Sequence, residues 1–304
     1  MHDPLSVRKN MEKQNNIKTY YNQREKLTLE NPTYKTYVEY YTHETLRLDL
    51  AGGDDMTTTA VLDTNPEVTA NVIAKQDGVI AGLQEVEYFL NSFDIQIDFL
   101  KKDGDDILNK DIVLTLTGHV QGILKVERTM LNLLQRMSGI ATHTKNFVEK
   151  IPRTVLLCPT RKTQWGLLDK RAVTLGGGGT HRLGLYDFVL IKDNHIPYIA
   201  DLASKAKQLN DKNIFWEIEA DTAEQVLEFA KLKPSAIMFD NFSPENIAPL
   251  VQELHETHPD IILEASGGIH EKTITNYGAT DVDIISMGSL THSVMSLDIG
   301  LDIV

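Results

Sequence analysis

Short apolar runs alternate with polar turns over the first half of the chain. Four of these runs are typical of β-strands, and they cover residues 69–75, 78–82, 95–100 and 112–118. Runs of this length bounded by turn residues predict a small mixed sheet. Apolar residues then recur at helical spacing, at Val126, Met130, Leu133, Leu134 and Met137. This periodicity predicts a long, mostly buried helix over 125–151.

The pattern changes after residue 153, where compact apolar runs alternate with helical segments. Six such runs cover residues 154–158, 188–192, 214–219, 236–240, 261–266 and 283–288. Alternating strands and helices predict parallel strands joined by crossover helices. Polar residues fall at the ends of these runs, and in an α/β barrel such ends converge on one mouth. No GxGxxG motif follows the first run, which argues against a doubly wound sheet. The predicted fold is therefore an N-terminal α/β sandwich followed by an α/β barrel, incomplete because six strands are evident rather than eight.

These patterns predict domain boundaries. Residues 1–36 lack a sustained apolar period and are interpreted as a frayed extension or surface arm. A helix is predicted over 37–50, where the N-terminal sandwich begins. The sandwich is expected to span 37–141 and to be joined by the C-terminal segment 290–304, while 142–289 forms the barrel and carries the site.

Composition narrows the classes of protein. Lys and Arg number 30 against 43 Asp and Glu, and the net charge of -13 argues against a nucleic-acid partner bound through a generally basic surface, while it leaves room for a local basic pocket. The single cysteine, Cys158, excludes an intrachain disulfide framework and fits a reducing cytoplasm. No signal-peptide core or apolar stretch of membrane-spanning length is evident, so a soluble cytoplasmic protein is expected.

Cationic groups cluster near the predicted strand ends. These side chains are Arg161, Lys162, His181, Arg182 and Lys192. Arginine forks suit carboxylates and phosphates, and lysine supplies compact positive charge. Several cations at one barrel mouth need an anionic ligand to offset their repulsion, whereas each of them alone could equally be a solvated surface charge.

Two carboxylates, Glu219 and Asp240, end predicted strands beside these cations. Such groups could bind ribose hydroxyls, hold a divalent metal on a pyrophosphate or stabilise a cationic transition state, or they could simply neutralise the pocket. The glycine-containing segments 266–269 and 287–293 each follow a strand and are expected to open a helix. Their backbone N–H groups could then bind phosphate.

A series of short motifs resembles the quinolinate phosphoribosyltransferase family (nicotinate-nucleotide pyrophosphorylase, carboxylating) over about residues 38–304. In the family's order they are GGDDMTT, ERTMLNLLQRMSGIAT, TRKT, THRLGL, IKDNH, EIEA, MFDN, EASGGI and SMGSLTHS. The resemblance implies the same sandwich and incomplete barrel, assembled as a homodimer or a higher multiple with active sites shared between subunits. It implies a glycosyltransferase of NAD biosynthesis that uses quinolinate, phosphoribosyl pyrophosphate (PRPP) and magnesium. The products would be nicotinate mononucleotide, pyrophosphate and carbon dioxide.

The resemblance also assigns roles to residues. Quinolinate and the neighbouring phosphate would be held by Arg161, Lys162, His181, Arg182 and Lys192. Glu219 and Asp240 would face the ribose and the metal, and with Lys162 they form the expected catalytic set. The phosphate end would be lined by Ser266, Gly267, Gly288 and His292. Arg128 would reach into the neighbouring subunit's site.

The match has departures on the substrate side. After TRKT the segment QWGLLDKRAV is two residues shorter than in the family, Trp165 replaces a proline, and the arginine of that segment is absent unless Arg171 substitutes. Thr180 stands where the family usually has asparagine before the His-Arg pair. Two other functions therefore stay open: a related phosphoribosyltransferase for another aromatic acid, and a catalytically silent binding protein.

Overall fold

The computed structural model describes residues 11–304, which fold into two compact units. The barrel unit contains residues 11–24, Asn146–Lys162 and Gly178–Ser289. The sandwich unit contains Glu25–Lys145, Thr163–Gly177 and Leu290–Val304. The predicted extension 1–36 is thus divided between the units, and its first ten residues lie outside the described part.

The helices are α1 (11–16), α2 (Pro32–Glu39), α3 (Thr45–Leu50), α4 (Met56–Val61), α5 (Leu83–Leu90), α6 (Val120–Val148), α7 (Leu167–Leu175), α8 (Leu202–Asp211), α9 (Ala223–Ala230), α10 (Pro244–Thr257), α11 (Ile274–Gly278) and α12 (Ser289–His292). The strands are β1 (Glu67–Ala74), β2 (Gly78–Val79), β3 (Ile95–Phe99), β4 (Asp106–Ile107), β5 (Ile112–His119), β6 (Leu156–Pro159), β7 (Val189–Ile191), β8 (Trp216–Ala220), β9 (Ala236–Asp240), β10 (Ile262–Ser266), β11 (Ile284–Met287) and β12 (Ile299–Ile303). Single helical turns of other types cover Ile17–Tyr21, Arg24–Lys26, Tyr40–Glu44 and Ile196–Tyr198.

The sandwich unit is built on a four-stranded sheet in the order β12-β1-β5-β3. All three of its strand pairs are antiparallel, so the expectation of a mixed sheet is wrong. Alternate residues of β1 are buried, at Ala70, Val72 and Ala74, because successive side chains of a strand point to opposite faces. The last strand, β12, pairs with the first, and Ala70 lies opposite Ile303.

The long helix α6 begins at Val120, five residues before its predicted start, and ends at Val148. All five apolar residues that predicted it are buried. Within the described part of the chain, no helix combines the length and the apolarity needed to cross a membrane.

The interpretation of residues 11–36 as a frayed surface arm is wrong. Tyr21, Leu27 and Tyr34 are completely buried. The predicted helix 37–50 begins earlier, at Pro32, where Asn31 caps it by accepting a hydrogen bond from the Thr33 N–H at 3.0 Å. These buried residues are far apart in the sequence and have polar neighbours, so they form no apolar pattern that would predict their burial.

The barrel unit contains a six-stranded sheet in the order β6-β11-β10-β9-β8-β7, and every neighbouring pair is parallel. Each predicted run corresponds to one of these strands. The order is that of a barrel opened between β6 and β7, which confirms the predicted incomplete barrel. Side chains from β6, β7, β9, β10 and β11 share one buried cluster with Tyr21, and Phe215, which directly precedes β8, also belongs to it. Cys158 belongs to that cluster, as expected of a small core residue.

Candidate active site

The polar residues of the parallel strands collect at their carboxyl ends. Asp240 ends β9 and lies beside Ser266, which ends β10. Glu219 is the last but one residue of β8, and Lys192 directly follows β7. Because all six strands run in one direction, these side chains share one edge of the sheet, where α/β barrels place their sites.

Lys192 and Glu219 form the closest ion pair of this edge. The Lys192 Nζ donates a short hydrogen bond to Glu219 Oε2. Burial raises the pKa of the Glu219 carboxyl, the lysine opposes that shift, and the charge of Asp240 adds to it. Burial also raises the pKa of Asp240, while Lys192 and Lys162 lower it. The two predicted carboxylates and these two lysines therefore act on one another.

A third carboxylate joins this group. Ligand oxygens of Glu219, Asp221 and Asp240 all lie within 4.8 Å of one another. Asp221 was not among the predicted site residues. It lies two residues after Glu219, and alternate residues of an extended chain point to the same side, so its position was a usable signal. Carboxylate oxygens are the ligands that magnesium prefers, and a cation would relieve their mutual repulsion. The residues present therefore fit a divalent cation.

Arg161 and Arg182 supply positive charge on the other side of the site. Arg161 is exposed just beyond β6, whereas Arg182 is only 9% exposed. Burial lowers the pKa of the Arg182 guanidinium, and the like charge of Arg161 lowers it further. Two arginines within range of each other are an arrangement that an anion carrying two carboxylates would stabilise.

His181 directly precedes Arg182 and turns its ring towards two acids of the parallel strands. Its Nδ1 accepts a hydrogen bond from the Arg182 backbone N–H at 2.7 Å, and its Nε2 lies 3.2 Å from Glu264 Oε2 and 3.8 Å from Glu217 Oε2. A nitrogen that accepts an N–H hydrogen bond carries no proton, so Nε2 is the nitrogen that carries the proton and faces the acids. Both ring nitrogens thus contact protein groups, and the ring is 6% exposed.

The buried acids Glu217 and Glu264 were not among the predicted site residues. Both are completely buried, and burial raises the pKa of each, that of Glu264 to about 7 and that of Glu217 well above its usual range. The burial of both carboxyls favours their protonated forms, and the charge of Glu264 acts in the same direction on Glu217. Their signal in the sequence was a charged residue at an inward position of an otherwise apolar strand.

The predicted phosphate end is built on a tight turn after β10. The Asn241 N–H donates to the Ser266 carbonyl at 2.9 Å, and Gly267 has a φ of +86°. A Cβ at Gly267 would lie 2.3 Å from Asn241 Oδ1, so only glycine fits. The next helix, α11, begins at Ile274, so the expectation that this turn opens a helix directly is wrong. Gly288 does precede a helix, α12, but that helix has four residues.

Two predicted site residues belong to the sandwich unit. Arg128 has a side chain that is 62% exposed, with its Nη2 3.9 Å from Glu127 Oε1. His292 is exposed, and its Nδ1 lies 2.5 Å from the Ser293 hydroxyl. The group assembled in the barrel unit does not include either of them.

The shortened segment after TRKT packs within the sandwich unit. Trp165, which replaces the family's proline, stacks on Tyr41 with ring centroids 4.8 Å apart. Arg171 lies 4.0 Å from carboxylate oxygens of both Glu85 and Asp103. Its guanidinium is thus directed at carboxylates of its own unit, so the structure gives no support for Arg171 as a substitute for the missing substrate-side arginine.

Two family models match most of the chain. Residues 140–302 match the model described as quinolinate phosphoribosyl transferase, C-terminal domain, and residues 55–138 match that of the N-terminal domain. The chain belongs to the quinolinate phosphoribosyltransferase family, which confirms the predicted membership.

Individual relatives agree with this assignment. A nicotinate-nucleotide pyrophosphorylase [carboxylating] of Mycobacterium leprae is 38% identical over 267 residues, covering 85% of this chain and 94% of the relative. A probable enzyme of the same name from Methanothermobacter thermautotrophicus is 37% identical over 270 residues, covering 86% and 96%. The solved nicotinate-nucleotide pyrophosphorylase of Francisella tularensis superposes with a TM-score of 0.81 at 34% identity, covering 88% of this chain and 96% of that one.

Proposed function

We propose that this protein transfers the phosphoribosyl group of PRPP to quinolinate with loss of carbon dioxide, giving nicotinate mononucleotide and pyrophosphate. The observation that carries the proposal is the joint position of two lysines and three carboxylates at the carboxyl edge of the parallel sheet, together with Arg161, just beyond β6, whose charge acts on Arg182. The relatives named as carboxylating pyrophosphorylases support it. The proposal places the chain in NAD biosynthesis.

The arginines act first, by binding and orientation. Arg161 and Arg182 hold the two carboxylates of quinolinate, since a guanidinium matches a carboxylate with two parallel hydrogen bonds. This contact directs the ring nitrogen towards the anomeric carbon of the ribose. Orientation of two bound reactants removes much of the entropic barrier of a bimolecular displacement.

The carboxylates act during the displacement. As the bond to pyrophosphate lengthens, the ribose carbon acquires positive charge, which Glu219 and Asp240 stabilise from the strand ends. Lys192 neutralises Glu219 before substrates bind, as the short contact between them indicates. Magnesium, when bound by Glu219, Asp221 and Asp240, would neutralise charge on the pyrophosphate.

Decarboxylation follows once the ring nitrogen is alkylated. The cationic ring stabilises the carbanion left by the departing 2-carboxylate, so no organic cofactor is required. Lys162, whose charge acts on Asp240, is the group that we assign to protonating that carbon.

The proposal extends to the assembly and the location. We infer a homodimer, or a multiple of it, in which the exposed Arg128 of one subunit completes the site of its partner. A cytoplasmic enzyme fits the single buried cysteine, Cys158.

One experiment tests the activity. Purified protein is incubated with quinolinate, PRPP and magnesium, and carbon dioxide and nicotinate mononucleotide are measured. Nicotinic acid replaces quinolinate in a parallel reaction and should be a poor substrate, because it lacks the second carboxylate. Equal turnover of nicotinic acid would contradict the proposal. Pyrophosphate release only with another aromatic acid would favour a related phosphoribosyltransferase, and binding of both substrates without turnover would favour a silent binding protein.

A further inference from the structure

We propose that the N-terminal strap, residues Ile17–Arg24, positions the turn that carries Arg182 and so forms part of the substrate site without touching substrate. Only one part of this inference rests on the proposed function, namely the role of Arg182 in binding quinolinate. The strap lies before both segments that match the family models, which begin at residues 55 and 140.

The strap occupies the break in the barrel. Strands β6 and β7 are the two edges of the parallel sheet, and the segment around Gly179 lies against β6, where its N–H donates to the Leu157 carbonyl at 2.8 Å. Tyr21 enters the space between those edges. Its side chain is completely buried in the cluster that contains Cys158 of β6 and Leu190 of β7, and its ring centroid lies 5.4 Å from that of Phe188, just before β7.

The strap's backbone holds the turn directly. The Tyr21 carbonyl accepts hydrogen bonds from the N–H groups of Thr180, at 2.7 Å, and His181, at 3.1 Å. His181 has a φ of +49°, a left-handed conformation that is unfavourable for a residue with a side chain. Two hydrogen bonds accepted by one buried carbonyl stabilise that conformation, which determines the direction in which the Arg182 side chain leaves the backbone.

Side chains extend the contact to both ends of the loop. The Gln23 amide donates a short hydrogen bond to Asp187 Oδ2, and the same oxygen accepts from the Leu183 N–H at 2.8 Å. Arg24 donates to the Gly178 carbonyl at 3.3 Å. The loop that contains the His-Arg pair is thus tied to the strap before and after that pair.

The side chain of Thr180 also contacts the strap. Its hydroxyl oxygen accepts a hydrogen bond from the Gln23 N–H at 3.0 Å, and the residue is completely buried. The departure from the family's usual asparagine at this position therefore coincides with a specific contact to the strap. We assign Tyr21, Gln23 and Thr180 as positioning residues.

The experiment compares Thr180→Val with Thr180→Ser in the full-length protein. Valine keeps the volume but cannot accept the Gln23 hydrogen bond, whereas serine retains the hydroxyl. We expect the His181 amide to exchange with solvent about tenfold faster in Thr180→Val, as the loss of one buried hydrogen bond predicts, and to be unchanged in Thr180→Ser. The KM for quinolinate should rise about tenfold in the valine variant, with the KM for PRPP nearly unchanged.

Arg24→Ala provides a second test at an exposed position, should Thr180→Val fail to fold. Its control is Lys18→Ala, an exposed residue of the same strap. Arg24→Ala should raise the KM for quinolinate relative to the control. Equal His181 exchange and equal quinolinate KM in the valine and serine variants would overturn the proposal, as would equal KM values for Arg24→Ala and Lys18→Ala. Exchange is measured without turnover, so an inactive wild-type protein would contradict the proposed function and still leave the strap tested.

Discussion

Arg182 combines features that are unfavourable without a ligand. The residue is buried, and the pKa of its guanidinium is lowered by that burial and by the like charge of Arg161. A buried cation facing a like charge is stabilised when an anion binds between them. We expect that anion to be the dicarboxylate.

Replacing Arg182 tests this role at the scale of one side chain. Arg182→Ala should weaken quinolinate binding by about 2–4 kcal/mol, since it removes a charge-assisted bidentate contact, and should change PRPP binding much less. Calorimetric titration with each substrate measures both effects. Arg153→Ala, an exposed residue that precedes β6 at the other end of the strand, is the control and should leave both affinities unchanged. Unchanged quinolinate affinity in Arg182→Ala would remove this arginine from the site.

Glu85 illustrates a buried carboxyl outside the proposed site. It accepts a hydrogen bond from the Tyr34 hydroxyl at 2.6 Å, and burial, reinforced by Asp103, raises its pKa to about 7 from 4.5. Because the folded-state pKa is raised, its contribution to stability is fully present below about pH 4.5 and is lost as pH rises through about 7.

The Glu85→Gln variant should lack this pH dependence. Between pH 4.5 and pH 8, the ionisation of Glu85 should lower the unfolding free energy of the wild-type protein by about 3 kcal/mol. The fall in unfolding free energy over the same range should therefore be about 3 kcal/mol smaller in Glu85→Gln than in the wild type. Urea unfolding at several pH values measures the difference. The exposed residue Glu87 lies on the same helix, and Glu87→Gln should retain the wild-type profile. Parallel profiles for Glu85→Gln and the wild type would contradict the assignment.

At the scale of elements, the turns after the strands determine where ligand groups can approach. The turn after β10 brings Gly267 against Asn241, which follows β9, so two neighbouring strand ends share one backbone contact. This turn depends on the positive φ of Gly267, and the next helix begins only at Ile274.

Gly267→Ala should disrupt that turn. A Cβ would lie 2.3 Å from Asn241 Oδ1 and 2.7 Å from its backbone nitrogen, in a conformation that side chains rarely adopt. We expect a loss of about 1–3 kcal/mol in unfolding free energy and a marked rise in the KM for PRPP. Gly122→Ala is the matched control, since nothing lies within 4 Å of its Cβ in helix α6, and it should stabilise the protein by about 0.5–1 kcal/mol. Equal behaviour of the two variants would exclude a role for the turn.

At the scale of the whole molecule, the chain crosses repeatedly between its two units. The segment Thr163–Gly177 belongs to the sandwich unit although barrel segments lie on both sides of it in sequence. Arg128 lies in the sandwich unit and Lys192 in the barrel unit.

Mixed dimers test whether the proposed site is shared between subunits. Arg128→Ala and Lys192→Ala homodimers should each be nearly inactive. If Arg128 serves the partner's site, a mixed dimer contains one site with both defects and one with neither. Random reassortment makes about half of the dimers mixed, so activity should recover to about a quarter of the wild type after the variants are unfolded and refolded together.

The control pairs Lys192→Ala with Glu219→Gln, two residues of the same barrel unit, and it should show no recovery because every site in such a mixture has one defect. Demonstrated subunit exchange without recovery in the Arg128 mixture would mean that Arg128 does not act across the interface.

The sequence by itself determined the elements of the barrel and the chemistry at its mouth. A short apolar run indicates a strand that is buried on both faces, and this signal predicted each of the six parallel strands. Apolar residues at helical spacing indicate a helix that is buried on one face, and this signal predicted α6. Lys192, Glu219 and Asp240 could be placed because parallel strands bring their carboxyl ends to one edge, whatever the rest of the fold.

Only the tertiary structure decided which distant segments complete these elements. The burial of Tyr21 between β6 and β7, the pairing of β12 with β1, and the contact of His181 with Glu217 and Glu264 join residues far apart in sequence. The spacing of apolar residues in the local sequence does not predict such contacts, because a single tyrosine or glutamate is buried only when distant segments form the cavity around it. A polar N-terminal segment was thus predicted to be a surface arm, although packing makes it part of the barrel wall.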